Sequence, residues 1–162
     1  EMTFDSLAFR RALGSFATGV TVVTARDAAG SYRGITVNSF SSVSLDPPLI
    51  LFCLDKETPS FAGLCEAERF AVNVLCAEQH ELSVRFATAM ADKWDGVDHE
   101  LWPGDLPVLT GCLANLACRR ETLYEGGDHV IIVGRVERLQ VAGEGDPLVY
   151  FQSAYRSVGP AF

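Results

Sequence analysis

Apolar and polar positions along the chain change period repeatedly, and those changes divide it into short elements. Phe4, Leu7, Ala8, Leu13, Phe16 and Ala17 recur mostly three or four positions apart, which predicts an amphipathic helix over residues 4–17 with Gly19 as its stop. Residues 20–25 are β-branched and predict a strand. A turn at 27–31 joins it to a second strand over 33–40, making a hairpin. Pro47 and Pro48 punctuate before 49–54, an unbroken apolar run that reads as a buried strand. Thr58-Pro59-Ser60 opens a short helix ending near Ala67, with proline close to its first position. A strand is predicted over 70–75 and a helix over 77–88 with Leu82 and Phe86 on one side, while 91–107, with its two tryptophan-containing loops, reads as irregular. Strands follow over 112–122, 129–141 and 148–151, the first two separated by the turn Glu125-Gly126-Gly127-Asp128. About seven strands against three helices, mostly joined by short turns, argue for a mainly β antiparallel barrel rather than alternating βαβ units.

Composition narrows the function classes. The 162 residues suit a single domain spanning 1–162. Thirteen Lys and Arg against 21 Asp and Glu leave a net charge of −8. With no basic excess to neutralise phosphates, a general nucleic-acid or anionic-membrane binder is disfavoured, although one or two local cations suffice for a small anionic ligand. The longest apolar run, Leu49 to Leu54, is far short of the roughly 20 residues of a membrane helix. Arg10 and Arg11 come with no apolar leader before them. Cysteines 53, 65, 76, 112 and 118 are odd in number, lack CxxC spacing and mostly sit among apolar residues. They predict a reduced, cytoplasmic protein with buried thiols and no metal site.

Several familiar motifs fail. Gly14 to Gly19 imitates P-loop glycine spacing, but Val20 follows where the lysine belongs, and the order is helix then strand. No GxGxxG and no GxSxG occurs, and His80, His99 and His129 lack metal-ligand spacing. One segment is more informative. Asn38, Ser39, Ser41, Ser42 and Ser44 fall within seven residues, followed by Asp46-Pro47-Pro48. Such a run is either a hydroxyl-rich strand edge entering a turn or a row of donors facing a flat polar ligand.

The opening Phe9-Arg10-Arg11-Ala12-Leu13-Gly14-Ser15-Phe16-Ala17-Thr18-Gly19-Val20-Thr21-Val22-Val23-Thr24 resembles the start of the short-chain flavin reductases, the reductase components of two-component flavin monooxygenases. The resemblance continues in order through Gly34 to Pro48, Leu49 to Leu54, Ser60-Phe61, Phe70 to Leu75, Leu82-Ser83, Arg85-Phe86-Ala87, Gly127-Asp128-His129 and Leu148 to Tyr155. It spans essentially the whole chain. It implies an antiparallel split β-barrel of the FMN-binding type with a few flanking helices, usually homodimeric. The implied activity is hydride transfer from NADH or NADPH to FMN or FAD, with reduced flavin passed to a monooxygenase. A non-enzymatic flavin-binding or electron-carrier protein on the same barrel is the competing class.

The resemblance also assigns residues. Thr36, Val37, Asn38, Ser39, Ser41, Ser42 and Leu54 match flavin-binding positions, although strand side chains alternate and some of these serines must be structural. Arg85 is a candidate for the flavin phosphate, joined by Lys56 and Ser60, and Phe86 beside it matches a further flavin-binding position. Their plainer roles are a surface arginine and a helix cap. His129 is the catalytic candidate, placed where nicotinamide meets flavin, with Asp128 and Tyr155 beside it. Otherwise His129 and Asp128 are turn residues and Tyr155 a core residue.

Overall fold

The computed structural model describes residues 2–162. Helix α1 (Ser6–Gly14) opens the chain, its first turn capped by the Asp5 carboxylate, which accepts from the Ala8 N–H at 2.7 Å. It is followed by the two-residue β1 (Thr18–Gly19), β2 (Thr21–Arg26), β3 (Tyr32–Val37), β4 (Ser41–Leu45), β5 (Pro48–Asp55), α2 (Phe61–Glu66) and β6 (Arg69–Val74). A 3-10 turn (Ala77–Gln79) leads into α3 (His80–Ala87). The remainder is β: β7 (His99–Trp102), β8 (Leu106–Leu109), β9 (Ala114–Gly126), β10 (His129–Val141), β11 (Val149–Phe151) and β12 (Ala154–Arg156).

Seven strands form one sheet in the order β3-β2-β6-β9-β10-β5-β4, with every neighbouring pair antiparallel. Val23, Val37, Phe52, Phe70 and Ile132, from five different strands, share one core with Leu64 of α2. The sheet is therefore coiled about a common interior. Ser39 extends the pairing of β4 with β5 beyond the ladder. The Ser39 hydroxyl accepts from the Cys53 N–H at 2.9 Å and donates to the Cys53 carbonyl at 3.0 Å. β3 and β4 nonetheless remain the outer strands of the hydrogen-bonded order.

Several expectations are corrected. The predicted second strand, 33–40, ends at Val37, and β4 forms after a break at 38–40. Residues 91–107, read as irregular, include β7 and the start of β8, which pair as a hairpin. Its signal was hidden because β8 is held by buried polar groups from afar. The Thr24 hydroxyl donates to the Pro107 carbonyl at 2.6 Å, and the Asn73 carboxamide oxygen accepts from the Leu109 N–H at 3.0 Å. The 77–88 helix begins as a 3-10 turn, and a short β12 extends the last hairpin. Helix α1 is shorter than its apolar stripe, and none of its residues is buried. All five thiols are free, and burial pushes the Cys118 thiol up to about 12. No helix among the described residues is long and apolar enough to cross a membrane.

Candidate functional site

Strand β3 and the segment after it organise the candidate site. Period-two alternation sends Val37 into the core, while Thr36 faces α3, its hydroxyl donating to the Ser83 carbonyl at 2.6 Å. The Ser83 and Tyr155 hydroxyls share a hydrogen bond of 2.7 Å, and the Tyr155 ring meets His80 edge-on at 4.5 Å. Thr36, Asn38, Ser83, Tyr150 and Tyr155 thereby line a cavity of about 190 Å³. Asn38 is exposed and its carboxamide makes no hydrogen bond among the described residues. The serines have different roles. Ser39 is committed to Cys53, the Ser41 hydroxyl donates to the Ser42 carbonyl at 3.0 Å, and Ser42 is exposed.

Three predicted contacts are corrected by burial. Val37 is 8% exposed, Leu54 and Phe86 are 0% exposed, and all three belong to the core. Their side chains pack into the core, and those of Leu54 and Phe86 present no surface to a ligand. Any contact at Val37 runs through its backbone.

At the other end of β3 a second cavity, about 360 Å³, is lined by Arg33, Ser60, Lys93 and Trp94. Ser60 occupies the N-cap position of α2 yet makes no cap bond, so its hydroxyl is uncommitted there. Burial lowers the Lys93 pKa, because desolvation penalises the ammonium, and an anion in the cavity would restore the balance. Arg33 supplies a second cation, held by Asp27 at 2.8 Å. Sequence reasoning missed Arg33 and Lys93. They lie 60 positions apart, and only folding the 89–94 loop onto β3 brings them to one cavity. Arg85 does not point there. Its guanidinium donates to the Lys93 carbonyl at 3.3 Å and to the Asp95 carbonyl. Arg85 therefore positions the loop that carries Lys93. Lys56 lies elsewhere again, paired with Glu125 at 2.6 Å.

His129 opens β10 directly after the turn in which Gly127 adopts φ +75°, a left-handed conformation that glycine takes without steric cost. It pairs across the ladders with Asp55 and Gly126. Val130 and Ile132 enter the core, so His129 faces outward with 39% of its side chain exposed. Its Nδ1 lies 2.7 Å from an Asp128 carboxylate oxygen. A carboxylate can only accept, so Nδ1 carries the proton and Nε2 is directed away, free to engage a ligand. The same hydrogen bond holds the Asp128 carboxyl below its usual range. Tyr155 does not join this pair. It is bonded to α3, beyond β3, and the structure brings it together with Thr36 and Asn38 instead.

The outward imidazole fixed by Asp128, the cavity lined by Arg33 and Lys93, and the exposed carboxamide of Asn38 lie at three separate places, each able to engage a polar or anionic group. The sequence matches the flavin reductase like domain over residues 13–159, and the chain belongs to that family. It is 46% identical over 151 residues to the FMN reductase (NADH) SmoA of Agrobacterium fabrum, covering 93% of this chain and 85% of that protein. It is 40% identical over 156 residues to the reductase subunit HsaB of a flavin-dependent monooxygenase from Rhodococcus jostii, covering 96% and 80%. The NADH:FAD oxidoreductase SgcE6 of Streptomyces globisporus, solved in complex with NAD and FAD fragments, superposes with a TM-score of 0.92 at 37% identity over 99% and 98% of the two chains. The chain spans only 45% of the length of a Rhizobium meliloti relative to which it is 47% identical over 140 residues.

Proposed function

We propose that the protein is an NAD(P)H:flavin oxidoreductase that takes FMN or FAD and supplies reduced flavin to a partner monooxygenase. The observation that carries this reading is family membership over nearly the whole chain, together with end-to-end likeness to an NADH:FAD oxidoreductase. The donor set suits a flavin nucleotide: Lys93, Arg33 and Ser60 form a phosphate end, and unpaired Asn38 offers a carboxamide to the ring. When bound, flavin and nicotinamide supply the redox chemistry. The chain's own task is to orient both rings and exclude competing reactions. Asp128 fixes the His129 tautomer, and Nε2 is the atom we assign to holding the nicotinamide. Steady-state oxidation of NADH and NADPH, with FMN or FAD added, tests the proposal. Turnover above the uncatalysed rate is expected, and its absence with every pair contradicts it.

Lys93→Ala is expected to weaken FMN binding by about 10-fold, the lower end of what a charged hydrogen bond contributes, because the cavity is open to water. Riboflavin, which lacks the phosphate, should bind mutant and wild type alike. Fluorescence titration with both ligands reads the difference. An equal loss for both would move the phosphate away from Lys93.

The coiled sheet supports a split-barrel reading of this single domain. The uncovered apolar face of α1, with Leu7, Phe9 and Leu13 more than half exposed, supports a homodimer in which a second copy covers it. Light scattering should give twice the monomer mass. Five free thiols support a cytoplasmic setting.

A further inference from the structure

We infer that Tyr124 and Gly126 form, with His129, a slot for the nicotinamide ring, in which Tyr124 covers one face of the ring and Gly126 keeps the floor low enough to admit it. The strand register places these residues together. In the β9–β10 ladder Ile131 is opposite Tyr124, and His129 is opposite Gly126. Directly opposed residues project to the same face of a sheet, and so do residues two apart along a strand. Val130 and Ile132 take the core side, so Tyr124, Gly126, His129 and Ile131 share the outer side. Tyr124 is 57% exposed there. It is the diagonal neighbour of His129, which sets the roots of the two side chains about 7–8 Å apart. One flat ring, with contact distances of about 3.5–4 Å to either side, fills that width.

Gly126 is a second observation, independent of Tyr124. Glycine weakens a strand, and it often marks a place where a ligand or another backbone comes close. Gly127 is accounted for by its φ of +75°, whereas Gly126 is not among the residues of positive φ. Packing does not exclude a side chain at Gly126 either. A Cβ there would meet the His129 carbonyl oxygen and Ile131 Cγ1 at 3.4 Å, both ordinary contacts. Gly126 and Ile131 form the other diagonal of the same four residues, and so the floor between Tyr124 and His129. A side chain at Gly126 would raise that floor.

The chemistry of the slot selects the ring. With Nδ1 donating to Asp128, a neutral His129 presents Nε2 as an acceptor. Nicotinamide supplies the matching donor in its carboxamide N–H group and a flat body for the Tyr124 face. The groups assigned to the flavin line cavities at β3, and none of them belongs to the slot. The inference rests on the proposed flavin reductase reading and adds Tyr124 and Gly126, which that reading does not use.

NAD+ is titrated calorimetrically into the flavin-loaded protein, and its two halves, nicotinamide mononucleotide and AMP, are titrated separately. Tyr124→Ala is expected to weaken NAD+ and the mononucleotide by about 3- to 10-fold, the size of one lost stacking contact. Tyr124→Phe, which keeps the ring, should restore the affinity. Gly126→Ala should weaken the same two ligands, and AMP should bind all variants as it binds wild type. Thermal melting separates a filled slot from a damaged fold. Gly126→Ala should melt at or above the wild-type temperature, because alanine loses less backbone entropy on folding. Unchanged NAD+ affinity in both Tyr124→Ala and Gly126→Ala overturns the inference. So does a loss confined to AMP, which would place adenine in the slot. A lowered melting temperature in Gly126→Ala would make the glycine structural and overturn its part. An active wild-type protein with unaffected variants overturns the slot alone, whereas a wild-type protein that oxidises neither NADH nor NADPH with added flavin overturns the broader reading.

Discussion

Replacing His129 by alanine is expected to lower the limiting rate of flavin reduction by about 10- to 100-fold, the size of effect that lost orientation of reacting groups produces. The flavin dissociation constant should stay within about threefold, because His129 lies outside both the cation-lined cavity and the Asn38 rim. Asp128 anchors Nδ1 at 2.7 Å, and the turn beneath it is tied down by the Lys56 N–H donating to the Asp128 carbonyl at 3.0 Å. The imidazole therefore presents Nε2 in one direction before a ligand arrives. A His129→Asn variant retains a donor but loses the anchored geometry and should recover only part of the rate. The anchor has its own pH dependence. Asp128 has a depressed carboxyl pKa, so its hold on the ring is complete above the ordinary carboxylate range and fails only as pH falls through the lowered value. Across neutral pH the Asp128 carboxylate stays ionised and contributes no bend to the rate. Stopped-flow reduction over a range of nicotinamide concentrations separates a raised requirement for nicotinamide from a lowered limiting rate. A variant as fast as wild type at every concentration would return His129 to the role of a turn residue.

The second large effect concerns stability. Phe86→Ala removes a side chain that is 0% exposed and packs edge-on against Trp94 at 5.2 Å. A cost of about 3–5 kcal/mol is expected for such a deletion, which for a chain of this size lowers the melting temperature by roughly 6–20 °C. Gly34 makes the same point from the other side. A Cβ there would lie 2.5 Å from the Phe86 ring, so Gly34→Ala overpacks and should also destabilise, by about 1–3 kcal/mol. Because the two positions share one space, the double variant should be more stable than the sum of the single losses predicts. Thermal melts of the three variants read the coupling. Strict additivity would mean that the close approach of Gly34 to Phe86 does not govern this corner. The resemblance pointed to Phe86 as a flavin contact, but the residue acts by holding α3 against β3.

What was legible in the sequence follows from how locally each feature is encoded. The long strands β5, β6, β9 and β10 are continuous or alternating apolar runs, and the turn at Gly126-Gly127-Asp128 announces itself by composition. The β7–β8 hairpin was not legible, because its second strand depends on Asn73 and Thr24 reaching it from β6 and β2. The site shows the same division. His129 and Asp128 are adjacent in the chain, so their pairing could be anticipated. Arg33 and Lys93 share a cavity only through tertiary packing, and neither belongs to a recognisable pattern. Leu54 and Val37 sit in segments matching flavin-binding positions, yet alternation places their side chains on the core face. A match in sequence marks a segment near a ligand, whereas strand geometry decides which of its side chains reach the ligand. The apolar stripe of α1 was visible, but the single chain leaves it uncovered.

Transfer of a hydride from nicotinamide to flavin on this protein is the central claim, and an anaerobic single-turnover experiment tests it most directly. Protein with one equivalent of flavin is mixed with NADH or NADPH, and the visible flavin band is followed by stopped flow. The account predicts bleaching with a stoichiometry of one nicotinamide oxidised per flavin, at a rate well above that of the free pair, and slowed when the C4 hydrogen that is transferred is replaced by deuterium. Flavin that binds tightly but bleaches no faster than free flavin with either nucleotide would contradict the account and leave a flavin-binding protein without reductase activity.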